Sequence, residues 1–354
     1  MWKTEEGSTG RLVQLCIGYF FFYVVTGVAV KYFQGRGMGD IEYNVYSTAA
    51  GTSIALLVVF VKGWYRLESS DPRPFLGRTV PGELLYIIPS GVCTAVVIPT
   101  TTLMYSLKGV SVMVAMVIMR GAVIVLSRLV DEVQIRQGIL KKRVYAEENI
   151  GVVVAVSAVA LTLFFSKNGE SDTPFYKSVA AMTILGSYVT AYAIRIYIMN
   201  YFKNTRPPGV RLDNQGFLGL EQISASITMA LAGLVIFNAP TWFGATAPQV
   251  THFVAAIRAP RPDWFWAFLS GTSFGIVAFF SVFIFMFKGR TATFAGLVNR
   301  LTSLVAGTTS TLVVWAFLGG KPPKGHDWGA LALIFVAVYF LTRAEKRRAA
   351  ELRG

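Results

Sequence analysis

Residues Glu83–Arg120 read ELLYIIPSGVCTAVVIPTTTLMYSLKGVSVMVAMVIMR, and residues Asp263–Arg300 read DWFWAFLSGTSFGIVAFFSVFIFMFKGRTATFAGLVNR. Each stretch holds two long apolar runs broken only by a short basic link, Lys108-Gly109 in the first and Lys288-Gly289-Arg290 in the second. A hydrocarbon core about 30 Å thick needs about 20 apolar residues per helix. Each stretch therefore predicts two membrane-spanning helices, forced antiparallel by the link between them. The stretches also correspond at a constant offset of 180. Ser90-Gly91 matches Ser270-Gly271, Val97 matches Val277, Lys108-Gly109 matches Lys288-Gly289, Ala115 matches Ala295, and Arg120 matches Arg300. Glu83 and Asp263 are a conservative match. Leu and Val coincidences are cheap in apolar runs, whereas Lys-Gly followed by Arg at one distance is not.

The same reading extends outward to ten spans: Leu12–Phe33, Tyr43–Val61, Glu83–Leu107, Val110–Val130, Asn149–Phe165, Phe175–Tyr201, Phe217–Phe237, Asp263–Phe287, Thr291–Leu318 and Trp328–Leu341. The fold class expected is all-α integral membrane. Ten transmembrane helices form two five-helix repeats, residues 1–168 and 169–354. Five is odd, so the second repeat enters the bilayer in the opposite sense, the 5+5 inverted arrangement of many secondary transporters. Composition agrees: 54% of residues are apolar, only 15% charged, and mean hydropathy is +0.53. The net charge of +14 does not indicate nucleic acid, because the basic residues sit in short segments between apolar runs. With the N-terminus inside, 20 of the 33 Lys and Arg residues fall in inner segments and nine in outer ones. The positive-inside rule then puts both termini in the cytoplasm. The membrane expected is the plasma (inner) membrane in a bacterium and a Golgi or endoplasmic-reticulum membrane in a eukaryote. The first run has no small-residue cleavage site after it and is read as a retained span. Cys16 and Cys93 lie inside apolar runs, with no disulfide expected. Pro89 and Pro99 inside the third span require neighbours that re-satisfy freed carbonyls, so this helix is expected to face the bundle. Segment 238–262 is expected to form an amphipathic or loosely ordered cap.

Arg120 and Arg300 lie nine or ten residues into their spans, near mid-membrane at 1.5 Å per residue. A guanidinium there costs about 2.5–3.5 kcal/mol on insertion scales, so it must face the interior and meet partners. An inverted repeat brings the two near one axis, and a converging cation pair points to an anionic solute held by bidentate forks. The plainer reading has each Arg bonding helix carbonyls or Ser/Thr neighbours. Arg195 near the end of the sixth span and Glu221 near the start of the seventh read as a structural or gating ion pair. Alternatively, Glu221 and Gln222 contact substrate or a coupled proton. Arg128 with Asp131 and Glu132 reads as interfacial pairing. Tyr192, Tyr197 and Asn200 could line a cavity or simply pack, with packing preferred, and the Thr100–Thr102 and Thr308–Thr311 clusters read as close-packing residues. The aromatic runs Tyr19–Tyr23 and Trp264–Trp266 read as interfacial belts or lipid-facing surface. No span carries paired carboxylates or a His/Cys cluster with ligand spacing, and both histidines, His252 and His326, fall in links. No catalytic residue, metal or cofactor is expected, and the chain is not read as an enzyme.

Gly296-Leu297-Val298-Asn299-Arg300 and its continuation Leu301–Gly307 resemble the Gly-Ala-Leu-Asn-Lys motif of GDP-mannose-type nucleotide-sugar transporters, members of the drug/metabolite transporter (EamA-like) superfamily. The resemblance extends to the Trp328-Gly329 start of the last span and its basic exit. Met119–Ile124 is similar to an Arg-Gly-Ser/Ala-Val-Ile stretch in related members. The resemblance implies that Asn299 and Arg300, beside Gly296, contact a sugar nucleotide and its phosphates. The family's Phe-Tyr-Asn-Asn stretch, which recognises the base, is replaced here by Leu220-Glu221-Gln222-Ile223.

The function expected is alternating-access transport of a phosphate-bearing organic anion such as a nucleotide sugar. Arg120, Arg300, Asn299, Gly296, Glu221 and Gln222 are its candidate contacts. An exporter of amino acids, drugs or other metabolites is the alternative within the class. A non-transporting scaffold or receptor is the alternative outside it. The expected partners are a small solute and the lipid bilayer, with no nucleic acid, and the chain acting as a monomer or loose homodimer.

Overall fold

The computed structural model describes residues 9–75, 77–107, 110–140, 144–165, 167–168, 173–207, 213–285 and 292–351. Ten of the described helices are long and apolar enough to cross a membrane. They are α1 (Thr9–Gly35), α2 (Asp40–Val61), α3 (Leu84–Ser106), α4 (Val112–Arg136), α5 (Ala146–Phe165), α6 (Val179–Asn204), α7 (Asn214–Phe243), α9 (Trp264–Phe285), α10 (Ala292–Leu318) and α11 (Gly325–Glu351). The eleventh, α8 (Pro248–Arg258), is a short helix in the segment read as a cap. Of the two alternatives expected there, α8 fits the amphipathic one, and α7 continues six residues past Phe237 before Gly244 ends it in the left-handed conformation. Tyr46 then ties α8 to α2 by donating to the Ala256 carbonyl at 2.7 Å. The Lys-Gly links 108–109 and 288–290 lie outside the described residues.

Sequence chemistry sets the helix starts. Ser111, Ser178 and Asp213 cap α4, α6 and α7 by accepting from the backbone N–H three residues on, meeting donors a helix start leaves unpaired. In α3 the Ser224 hydroxyl donates to the Ile88 carbonyl beside Pro89, and Thr100 and Thr101 donate to Val96 and Val97 beside Pro99. As expected of a proline-bearing span, α3 packs inward, against α6 and α7. The links contain two small hairpins that an all-α reading missed. Strand β1 (Pro72–Phe75) pairs antiparallel with β2 (Arg78–Pro81) around Gly77, and β3 (Lys167–Asn168) pairs with β4 (Thr173–Pro174).

The outside of the bundle is apolar: Val13, Ile17 and Phe21 recur every fourth residue along α1 and are exposed, as are Trp264, Phe265 and Trp266. Such a surface suits lipid. Inside, the principal neighbours are α2 with α9, α3 with α6 and α7, α1 with α9 and α10, α5 with α11, and α4 with α5, α6 and α10. The closest approaches use glycine. A Cβ on Gly91 would lie 2.7 Å from the Glu221 carbonyl oxygen of α7, and one on Gly271 would lie 2.8 Å from the Ser47 carbonyl carbon of α2. Backbone cannot move aside as a side-chain tip can, so overpacking costs of about 1–3 kcal/mol apply. Gly271→Ala is expected to lower the thermal midpoint in detergent by several degrees. Gly186→Ala, in open space on α6, should leave it unchanged or raise it.

Candidate functional site

Between α1, α2 and α9 on one side and α3, α6 and α7 on the other lies a small, partly open cavity, into which α4 contributes Arg120. Its polar wall carries Tyr19, Tyr23, Tyr188, Tyr192, Arg195 and Gln222. The wall from α9 is mostly apolar, with Phe274, Val277, Ala278 and Val282.

Arg120 is buried, and its Nη2 donates to Tyr23 at 2.7 Å and to Tyr19 at 3.4 Å. Its guanidinium carbon also sits 5.6 Å from the Tyr23 ring centroid. Among the described residues no carboxylate pairs with it, and its buried Nε has no hydrogen bond. The Tyr23 hydroxyl bonds that of Tyr105 at 2.7 Å. The Tyr19 hydroxyl donates to Asn299 Oδ1 at 3.4 Å, and Asn299 Nδ2 donates to Ser281 Oγ at 3.0 Å. Arg120 and Asn299 thus share one network through Tyr19. Arg300 lies in the neighbourhood of Arg120 without lining the cavity. It is buried off the cavity wall and donates to Ser127, although Arg120 still acts on it as a like charge. Its Nε is also buried without a partner. Gly296 falls on the first turns of α10, where side-chain surroundings lie outside the described residues.

Arg195 and Glu221 form a two-pronged ion pair, with Nε to Oε1 and Nη2 to Oε2 both at 2.8 Å. The Ser90 hydroxyl adds a third donor to Glu221 at 2.5 Å. Arg195 lines the cavity. Glu221 is 0% exposed and sits behind it. Because α7 begins at Asn214 rather than Phe217, Glu221 lies two turns inside the helix, deeper than the sequence suggested. Gln222 reaches the cavity beside it. Arg128 pairs with Glu132 at 2.9 Å away from the site.

Arginines clasp the links at both ends of the bundle. At one end Arg261, before α9, donates to the Gly37 and Arg36 carbonyls at 2.8 and 3.1 Å and pairs with Asp263 at 3.4 Å. At the other, Arg206, after α6, donates to the Glu68 carbonyl at 3.0 Å and lies 3.7 Å from Glu83, the residue before α3. Burial pushes the Glu83 carboxyl up, but bonds from Ser69 Oγ, Ser70 N and Ser70 Oγ outweigh it and hold the group below the usual carboxylate range. A carboxyl whose pKa is depressed by folding stabilises the fold above its ordinary pKa, and that contribution is lost as pH falls through the folded value. The thermal midpoint is expected to fall as pH drops below about 4.5, and to fall less steeply in Glu83→Gln.

Three tyrosines of the site, Tyr19, Tyr23 and Tyr188, escaped the sequence reading. Tyr19 and Tyr23 are 1% and 2% exposed, which corrects their assignment to a belt. Only Phe21 of that run, at 60%, fits it well. Tyr188 was not singled out, and Tyr192 lines the cavity rather than only packing. The signal was spacing: Tyr188, Tyr192 and Arg195 fall at i, i+4 and i+7, and Tyr19 and Tyr23 at i and i+4, one helix face in each case.

Fold and cavity together define a ten-span helical membrane protein with a mostly apolar internal cavity that carries two arginines. No family model and no curated protein matches the sequence. Seven chains of solved structures match. One, named only "Crystal structure of protein", is similar over 96% of this chain and 99% of its own length, with a TM-score of 0.52 at 14% identity. The likeness is one of fold.

Proposed function

We propose that the chain is a secondary transporter of the drug/metabolite type that moves an organic anion, such as a phosphate-bearing nucleotide sugar, by alternating access. One observation carries the reading. Arg120 stands on the wall of an internal cavity with phenol hydroxyls for partners and an unused buried donor. Buried cations are normally paired, and an anionic solute would supply the missing charge. Arg300, close by and also keeping an unused donor, adds positive potential.

The inverted repeat belongs to the same proposal and is supported by equivalent contacts. Exchanging α1 with α6, α2 with α7, α3 with α9, and α4 with α10 turns the α2–α9 contact into α7–α3, α1–α9 into α6–α3, and α1–α10 into α6–α4. The matched Ser-Gly pairs behave alike: Ser90 bonds Glu221 of α7, and Ser270 bonds Tyr43 of α2 at 3.1 Å. These seams join opposite halves, so the moving bodies in this proposal are not the halves themselves. They are two exchanged bundles, α1–α2–α9 and α3–α6–α7, that flank the cavity over a base of α4, α5, α10 and α11. The two arginine clasps then serve as alternately opening gates.

The test is solute exchange in liposomes, using whatever anion co-purifies with the protein. A bond to a charged group contributes about 1.5–3 kcal/mol, so Arg120→Ala should weaken apparent affinity by about 10- to 100-fold. Arg120→Lys should recover only part of it, since lysine lacks the two-pronged fork. Unchanged exchange by Arg120→Ala would sink the assignment.

A further inference from the structure

We infer that Arg195 is a specificity-determining hydrogen-bond donor which Glu221 reserves for uncharged acceptors. The preferred solute is then anionic at one end and neutral but hydrogen-bonding at the other. The inference rests on the reading of Arg120 as the anion contact.

Arg195 reaches the cavity from α6 with its guanidinium plane fixed by the two bonds to Glu221. Those bonds use Nε and Nη2. Nη1 makes no hydrogen bond among the described residues, and the side chain keeps 13% exposure. One edge of the fork therefore remains for the cavity. Its charge is cancelled locally, because the Glu221 carboxylate lies directly behind it and is itself fixed by Ser90. An anion placed on Nη1 would gain the arginine but meet the carboxylate one guanidinium width away. A carbonyl or hydroxyl would gain the hydrogen bond without that repulsion. The adjoining lining, Thr94 and Gln222, is likewise polar and uncharged. Arg120 differs in kind, since its partners Tyr19 and Tyr23 leave its charge uncompensated. The two arginines thus give the cavity unlike poles.

The test uses the purified full-length chain in detergent and two matched pairs of probes. UDP-glucose and UDP-glucuronate differ by one carboxylate at the neutral end, as do 4-carbamoylbutanoate and glutarate. The wild type should bind the neutral-ended member about tenfold more tightly, the size of one misplaced buried polar contact. Glu221→Gln keeps the shape and removes the opposing charge, so it should reverse the preference toward the doubly anionic member. Arg195→Gln removes the donor and leaves the Glu221 carboxylate uncompensated, so it should weaken both members, the doubly anionic one at least as much. If Glu221→Gln fails to fold, the double variant Arg195→Gln/Glu221→Gln replaces the buried pair with neutral groups and should show no discrimination. Equal wild-type affinity for both members, no binding of a neutral-ended member, or an unchanged ratio in Glu221→Gln would overturn the inference. Arg120→Ala in the same assay should weaken both members alike. Should it do so while the ratios stay flat, the inference about Arg195 fails and the anion reading survives.

Discussion

Two serine–glycine pairs set the frame of this bundle. At Gly91 the Ser224 side chain and the Glu221 carbonyl of α7, and at Gly271 the Ser47 backbone of α2, occupy the space a Cβ would need. In lipid there is no hydrophobic force pressing helices together, so close backbone approach and interhelical hydrogen bonds do that work. The serines beside the glycines supply the bonds, to Glu221 and to Tyr43. With α3 held to α7 and α9 held to α2, each pair becomes one wall, and the space between the walls is the cavity. Gly51 and Gly275 continue the α2–α9 seam to the cavity wall itself, where larger residues would push the wall apart.

The same seam bears on the site's electrostatics. Ser90 is both a seam residue and a donor to Glu221, and Glu221 orients Arg195. A buried ion pair of this kind adds little net stability against an apolar replacement, yet losing one partner is costly. Its value here lies in geometry: three donors converge on one carboxylate, so the guanidinium edge toward the cavity has a single orientation.

The ten spans were legible because membrane crossing imposes a length that composition reveals directly. The Ser-Gly and Lys-Gly-Arg correspondences were legible because such residues are rare in apolar runs. Arg120, Asn299, Glu221 and Gln222 could be found for the same reason: polar groups in spans stand out. What failed was the direction of aromatic side chains. Five consecutive aromatic residues from Tyr19 to Tyr23 cover every face of a helix, so composition could not say which faced inward. Only the four-residue spacing of the two hydroxyl-bearing rings separates them from Phe21. Arg300 also stands out as a polar group in its span, but sequence depth alone does not separate a side chain that lines a cavity from one a helix face away. The β1–β2 hairpin was hidden by Pro72, Pro74 and Pro81, which read as loop.

Why phenols, rather than carboxylates, surround Arg120 follows from what each would do to the cavity. A carboxylate at hydrogen-bond distance would stabilise the buried cation, but it would also cancel the field that reaches the cavity. Tyrosine hydroxyls accept from the guanidinium and the Tyr23 ring face attracts it, each contributing about a kcal/mol while leaving the net charge in place. The chain uses the other solution in the second half of α6, where Glu221 neutralises Arg195. One cavity therefore holds a charged arginine and a compensated one, and the difference lies in their partners rather than in the guanidiniums themselves. Tyr19 and Tyr23 come from α1, whereas Tyr188 and Tyr192 come from α6. In a transporter of the proposed kind these belong to opposite moving bundles, so any rocking of one against the other changes which hydroxyls can reach Arg120. The anion contact and the moving parts would then share the same few atoms.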